Sequence, residues 1–102
     1  MKNYQNEVDN MNLEQLFFYV TIEKNKRKKL NEKIISLGKC TAITRGLVHS
    51  GDMNEKYYTR VRVANKKSIV VLTNKIKDID NNIKIINNRI NVLTKKYNIF
   101  IR

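Results

Sequence analysis

Between Lys39 and Lys67 the chain gathers the side chains best suited to holding phosphate. Lys39, Thr41, Thr44, Arg45, His49, Ser50, Tyr57, Tyr58, Arg60, Arg62, Lys66 and Lys67 fall within 29 positions. Arginine forks grip phosphate through two parallel N–H bonds. Tyrosine faces stack on nucleobases, and hydroxyls and glycine amides cradle oxygens. Lys39, Thr44, Arg45, Tyr57, Tyr58, Arg60, Arg62 and Lys66 are therefore the candidate ligand-binding residues. A helix starting near Met53 adds free backbone donors, although Asp52 beside it opposes an anion. The competing reading of the stretch is an ordinary connection whose tyrosines pack on neighbouring helices.

A second basic cluster, Lys24, Lys26, Arg27, Lys28 and Lys29, is the densest in the chain. On a helix, such a run wraps most of the circumference. It makes a charged collar, either solvated or in contact with phosphates.

Catalysis has little to stand on. His49 is the single histidine, Cys40 the single thiol, and the nine acids are scattered. There is no zinc-ligand spacing, phosphate-loop glycine pattern or nucleophile elbow. The expectation is a protein that is not an enzyme and carries neither metal nor cofactor.

Net charge is +12 over 102 residues, with pI near 10. The first eleven residues sum to −1, residues 12–38 to +3, 39–63 to +3 and 64–102 to +7, so the charge is spread along the chain. That balance favours phosphate-bearing partners. A lone cysteine fits a reducing compartment. No signal peptide and no run of about 20 apolar residues is present, so the expected location is the cytoplasm. The weight of Asn, Lys and Ile suits an AT-rich genome.

These side chains must be positioned by helices. Ile69, Leu72, Ile76, Ile79, Ile83, Ile86, Ile90, Leu93, Tyr97 and Phe100 alternate spacings of three and four without a miss. That 3.5-residue period is the signature of a coiled-coil seam. Leu13, Leu16, Val20, Glu23, Arg27, Leu30, Ile34 and Leu37 repeat it, with Glu23 and Arg27 spaced for a helix ion pair. Asn12 and Gln15 form a capping box ahead of the first helix, and Gly38 is placed to end it. The expectation is one domain over 1–102: a frayed N-terminus (1–12), a first helix (13–37), a connection (38–52) and a second helix (53–100). Asp52 and Glu55 are expected to cap the second helix. The fold class is all-α, an antiparallel helical hairpin with unequal arms. Residues 57–68 also alternate as a strand would, so helix–β-hairpin–helix, a prefoldin-like layout, is the competitor.

Folded back, a first helix of about 25 residues spans only roughly 38 Å. It would cover the second helix only to about residue 78. Ile83, Ile86, Ile90, Leu93, Tyr97 and Phe100 would then lack a partner within the chain, and a stripe of that size is costly to leave in water. A homo-oligomer joined along this seam follows.

The layout of a helix, the sequence Leu47-Val48-His49-Ser50-Gly51-Asp52, and a long heptad helix with Lys75-Ile76-Lys77-Asp78-Ile79-Asp80-Asn81-Asn82-Ile83 resembles small phage-encoded coiled-coil proteins. Some of these continue into a sigma-like helix-turn-helix. This sequence has none, so the resemblance implies no transcriptional role. The functional expectation is a non-enzymatic oligomer that binds phosphate-rich ligands, either nucleic acid or a nucleotide sequestered between subunits. The alternative is a protein-interaction adaptor, scaffold or inhibitor working through the heptad surface.

Overall fold

The computed structural model describes residues 4–96. Three helices account for nearly all of them: α1 (Tyr4–Asp9), α2 (Leu13–His49) and α3 (Glu55–Lys96). Among the described residues there is no strand, so 57–68 is helix and the β-hairpin alternative falls.

The capping box ahead of α2 is formed. The Gln15 amide donates to Asn12 Oδ1 at 2.8 Å, and the Asn12 amide donates to Gln15 Oε1 at 3.0 Å. The far end of α2 departs from expectation. Gly38 lies inside the helix, which runs on to His49. The seam explains why: from Leu37 the three-four spacing continues through Thr41, Thr44 and Val48. The two threonines can line it because their hydroxyls turn back onto their own helix, Thr41 onto Leu37 O at 3.1 Å and Thr44 onto Cys40 O at 2.8 Å. Gly51 takes the role expected of Gly38. It adopts φ +82°, its amide donates to Val48 O at 3.1 Å, and the Asp52 amide donates to Leu47 O at 2.9 Å. This pair of bonds closes a helix C-terminus on a left-handed glycine. Asn54, not Asp52, caps α3: its carbonyl accepts from the Tyr58 amide and its side chain from the Lys56 amide. The Asp52 carboxylate instead accepts from Ser50 Oγ at 2.7 Å.

The chain divides into two compact units. Among the described residues the terminal unit comprises 4–27 and 77–96, and the middle unit is Lys28–Ile76.

In the terminal unit the start of α2 lies against the end of α3, and α1 packs with both. Val8, Leu16, Val20, Ile86, Ile90 and Leu93 form one buried cluster, bordered by Tyr4, Met11, Leu13, Ile83 and Ile85. Val8, Leu16 and Ile86 are fully enclosed, each contributing about 1.5–3 kcal/mol. Two expectations are corrected here. Residues 4–9 are helical and carry a core side chain, so the N-terminus is not frayed there. The stripe at Ile83, Ile86, Ile90 and Leu93 has partners within the chain, so it is not left uncovered in a single copy. Tyr97 and Phe100 lie outside the described residues.

The polar seam positions of this unit also pair differently from expectation. Arg27 Nε donates to Asp80 Oδ1 at 2.7 Å, and the buried Glu23 carboxylate faces Lys26 Nζ at 3.4 Å. Arg89 Nη2 reaches the Asp9 carbonyl at 3.2 Å and so fastens α1 to α3.

In the middle unit α2 and α3 form an antiparallel pair joined by the Gly51 turn. Leu30, Ile34, Leu37, Leu47, Val61, Ile69, Leu72 and Ile76 are only half-buried. Asn65 Nδ2 donates across the pair to Thr41 Oγ1 at 2.9 Å. A bonded polar side chain at such a position fixes the register of two helices.

Candidate functional site

The middle unit carries eleven basic and three acidic side chains, a net +8, against +4 for the rest of the chain. Within it, Gly38, Thr41, Ala42 and Arg45 on α2 and Tyr58 and Arg62 on α3 line a cleft of about 300 Å³. The α2 residues fall at i, i+3, i+4 and i+7 and so share one helix face; Tyr58 and Arg62 are one turn apart on α3. The register bond from Asn65 to Thr41 lies at this cleft and holds its two sides together.

The floor is low because Gly38 and Ala42 present almost no side chain. A Cβ built on Gly38 meets nothing within 4 Å, so packing does not require glycine there. A helix-interior glycine nevertheless costs about 0.5–1 kcal/mol relative to alanine. What its absent side chain does is leave the cleft open. Arg45 and Arg62 are exposed at this cleft, and among the described residues neither is paired with a carboxylate. Two unneutralised guanidiniums and a half-buried tyrosine around a small, open floor can hold a phosphate group with a ring beside it.

Of the candidate ligand-binding residues, the structure thus brings together Arg45, Tyr58 and Arg62, with Thr41 from the wider stretch beside them. Thr44 is buried and bonded to its own helix. Lys39 and Tyr57 are exposed and do not line this cleft. Arg60 belongs with Asn54, Glu55, Lys56 and Thr59 to a separate open depression at the start of α3. Lys66 lies with Val63, Lys67, Val70 and Val71 on another stretch of α3. In the basic collar, Lys24, Lys26, Arg27, Lys28 and Lys29 are all exposed, with Lys26 and Arg27 engaged by Glu23 and Asp80. Ala42 and Asn65 carry no signal of their own in the sequence, and Gly38 signals only a helix end. Only a glycine and an alanine one turn apart inside a helix could have marked the floor.

The other polar feature belongs to the terminal unit. The Tyr4 hydroxyl is enclosed without a hydrogen-bond partner, as is Arg89 Nε. Burial, and after it the neighbouring Glu23 and Glu7 carboxylates, push the Tyr4 phenol above its ordinary value. His49 and Cys40 are exposed. Among the described residues no group of three or more His, Cys, Asp or Glu could hold a metal ion, and no helix is long and apolar enough to cross a membrane. In comparisons with family models, curated proteins and solved structures, nothing matches this chain.

Proposed function

We propose that the protein is a non-enzymatic, coiled-coil binder of phosphate-rich ligands, and that the middle unit does the binding. The observation that carries this reading is the meeting of Arg45, Arg62 and Tyr58 over the open floor at Gly38. Arg45 and Arg62 take the phosphate, Tyr58 lies along a base, and the +8 surroundings raise the local concentration of anions. The cleft is open on its outer side. A nucleotide sequestered between subunits would be covered by a second copy, and the exposed Ile35 of α2, one turn before Gly38 and toward the same side of the helix, is apolar surface available for that contact. Nucleic acid would instead run its backbone over the same arginines and the exposed lysines. The heptad-surface adaptor reading has less support, because Ile79, Ile86, Ile90 and Leu93 are already buried within the chain.

What travels with the purified protein tests the proposal. Five tyrosines and no tryptophan absorb weakly at 280 nm, so bound bases would dominate the ultraviolet spectrum. The protein would be purified in high salt, denatured and filtered, and the filtrate run on a mass spectrometer. A discrete nucleotide supports sequestration between subunits, and a heterogeneous set of oligonucleotides supports backbone binding. A clean filtrate, together with no uptake of added nucleotide or oligonucleotide at low salt, sets the proposal aside.

A further inference from the structure

The acid-free stretch richest in basic side chains lies on α3. From Lys56 to Ile76 there are six basic side chains (Lys56, Arg60, Arg62, Lys66, Lys67 and Lys75) and no acid. Along the same stretch Val63, Val70 and Val71 stand out of the surface, 44%, 54% and 54% exposed, far above what a helix-pair seam leaves uncovered. With Lys66 and Lys67 they line a trough of about 470 Å³. Their spacing from Val63 is i, i+3, i+4, i+7 and i+8, the pattern of the buried stripe of an amphipathic helix, here left open. The stripe runs about 12 Å along the axis at 1.5 Å per residue. At about 100° per residue, Lys56, Arg60, Lys66 and Lys67 all project within roughly 60° of Val63. The lysine stems extend the apolar floor while their ammonium groups stand at its edges.

We infer that this face of α3 docks an acidic amphipathic helix from a protein partner. The apolar line of that helix sits on Val63, Val70 and Val71, and its carboxylates face Lys66 and Lys67, with Arg60 and Lys56 beyond. Charge selects the occupant. A second copy of this chain would bring the same basic face and set like charges against one another. Phosphate ligands would use the lysines and leave the valines uncovered. A stripe of pitch i, i+7, i+8 is the surface that a second helix engages by laying its ridge along it.

The probe is a labelled synthetic peptide of about 18 residues (five turns), with a leucine stripe and glutamate flanks. Its control is a scrambled isomer of equal charge with no apolar face. Anisotropy is measured against the full chain. The expected result is at least tenfold tighter binding of the amphipathic peptide than of its isomer. Val63→Asn with Val70→Asn should remove that preference while circular dichroism shows unchanged helix content. Lys66→Glu with Lys67→Glu should weaken both peptides at least tenfold. Equal binding of peptide and isomer, or a preference that survives the valine changes, overturns the inference. So does a drop in sedimentation mass of the valine variant alone, which would assign the face to a second copy. Loss of binding to phosphatidylcholine–phosphatidylserine vesicles in the valine variant, with peptide binding intact, would assign it to a membrane surface.

Discussion

The terminal unit holds all seven buried apolar side chains of the described residues, from Val8 to Leu93. The middle unit has none. Its single buried residue is Thr44, while Ile35, Ile43, Tyr57, Val63, Val70 and Val71 face outward. The same two helices run through both units, so the difference comes from what is added to them. In the terminal unit α1 supplies a third wall, and a side chain between three helices can be enclosed. In the middle unit two helices face each other alone, and the seam between them stays open at its edges. Charge follows the opposite gradient, +8 in the middle unit against +4 elsewhere. Cohesion is concentrated where the net charge is lower, and the basic charge where the core is thin.

The largest test of this contrast is a matched pair in one seam. Ile86 is fully buried and Ile69 half-buried. Ile86→Ala should cost about 2–5 kcal/mol, and Ile69→Ala no more than about half of that. Chemical denaturation of both variants measures it. Equal losses would mean that the middle unit is as tightly enclosed as the terminal one, for instance by a second copy.

A smaller pair of changes separates structure from binding. Alanine at Gly38 or at Gly46 meets no neighbour within 4 Å, and both sit inside α2. Each substitution should stabilise the chain by about 0.5–1 kcal/mol. Only Gly38→Ala, which puts a methyl group on the floor of the cleft, should also weaken phosphate-ligand binding, by several-fold in a titration. If both glycines behave alike towards ligand, the cleft floor is misassigned.

The smallest effect is a pH dependence in the terminal unit. Tyr4 is pushed above its ordinary value near 10, so the folded state favours its neutral form. Its contribution is fully present below pH 10 and is lost as pH rises through the higher folded value. Thermal melts across the alkaline range should show Tyr4→Phe declining less steeply than the parent. Parallel curves would place the phenol in contact with solvent.

The sequence made some of this legible and obscured the rest for physical reasons. The Asn12–Gln15 capping box is a local device, and it is formed as the residues predict. The helix over 57–68 was only half legible: no Gly or Pro interrupts it, but its strand-like alternation kept a β-hairpin in competition, and Asn54 rather than Asp52 provides the cap. The C-terminus of α2 is not legible locally, because Gly38 and Gly51 send the same signal. Only the seam through Thr41 and Thr44 tells them apart, and threonine does not read as a seam residue. A first helix ending at Leu37 is too short to reach Ile83–Leu93, whereas α2 running on to His49 is long enough to pack against that stripe. α1 was missed because a six-residue helix has little propensity signal of its own and is held by packing. In the cleft, Arg45, Tyr58 and Arg62 declared themselves by type. Gly38 and Ala42 did not, because their contribution is empty space.

The most direct test of the middle unit as the binding region is a titration of the parent chain and of Arg45→Glu with Arg62→Glu, using ATP and a single-stranded oligonucleotide in turn at low salt. Thermal melts of both proteins are recorded alongside. The expected result is at least a tenfold loss of affinity for one or both ligands, with a melting temperature close to the parent's, since both side chains are exposed and unpaired. Unchanged affinity for both ligands, with the fold intact, would contradict the assignment of phosphate binding to this cleft.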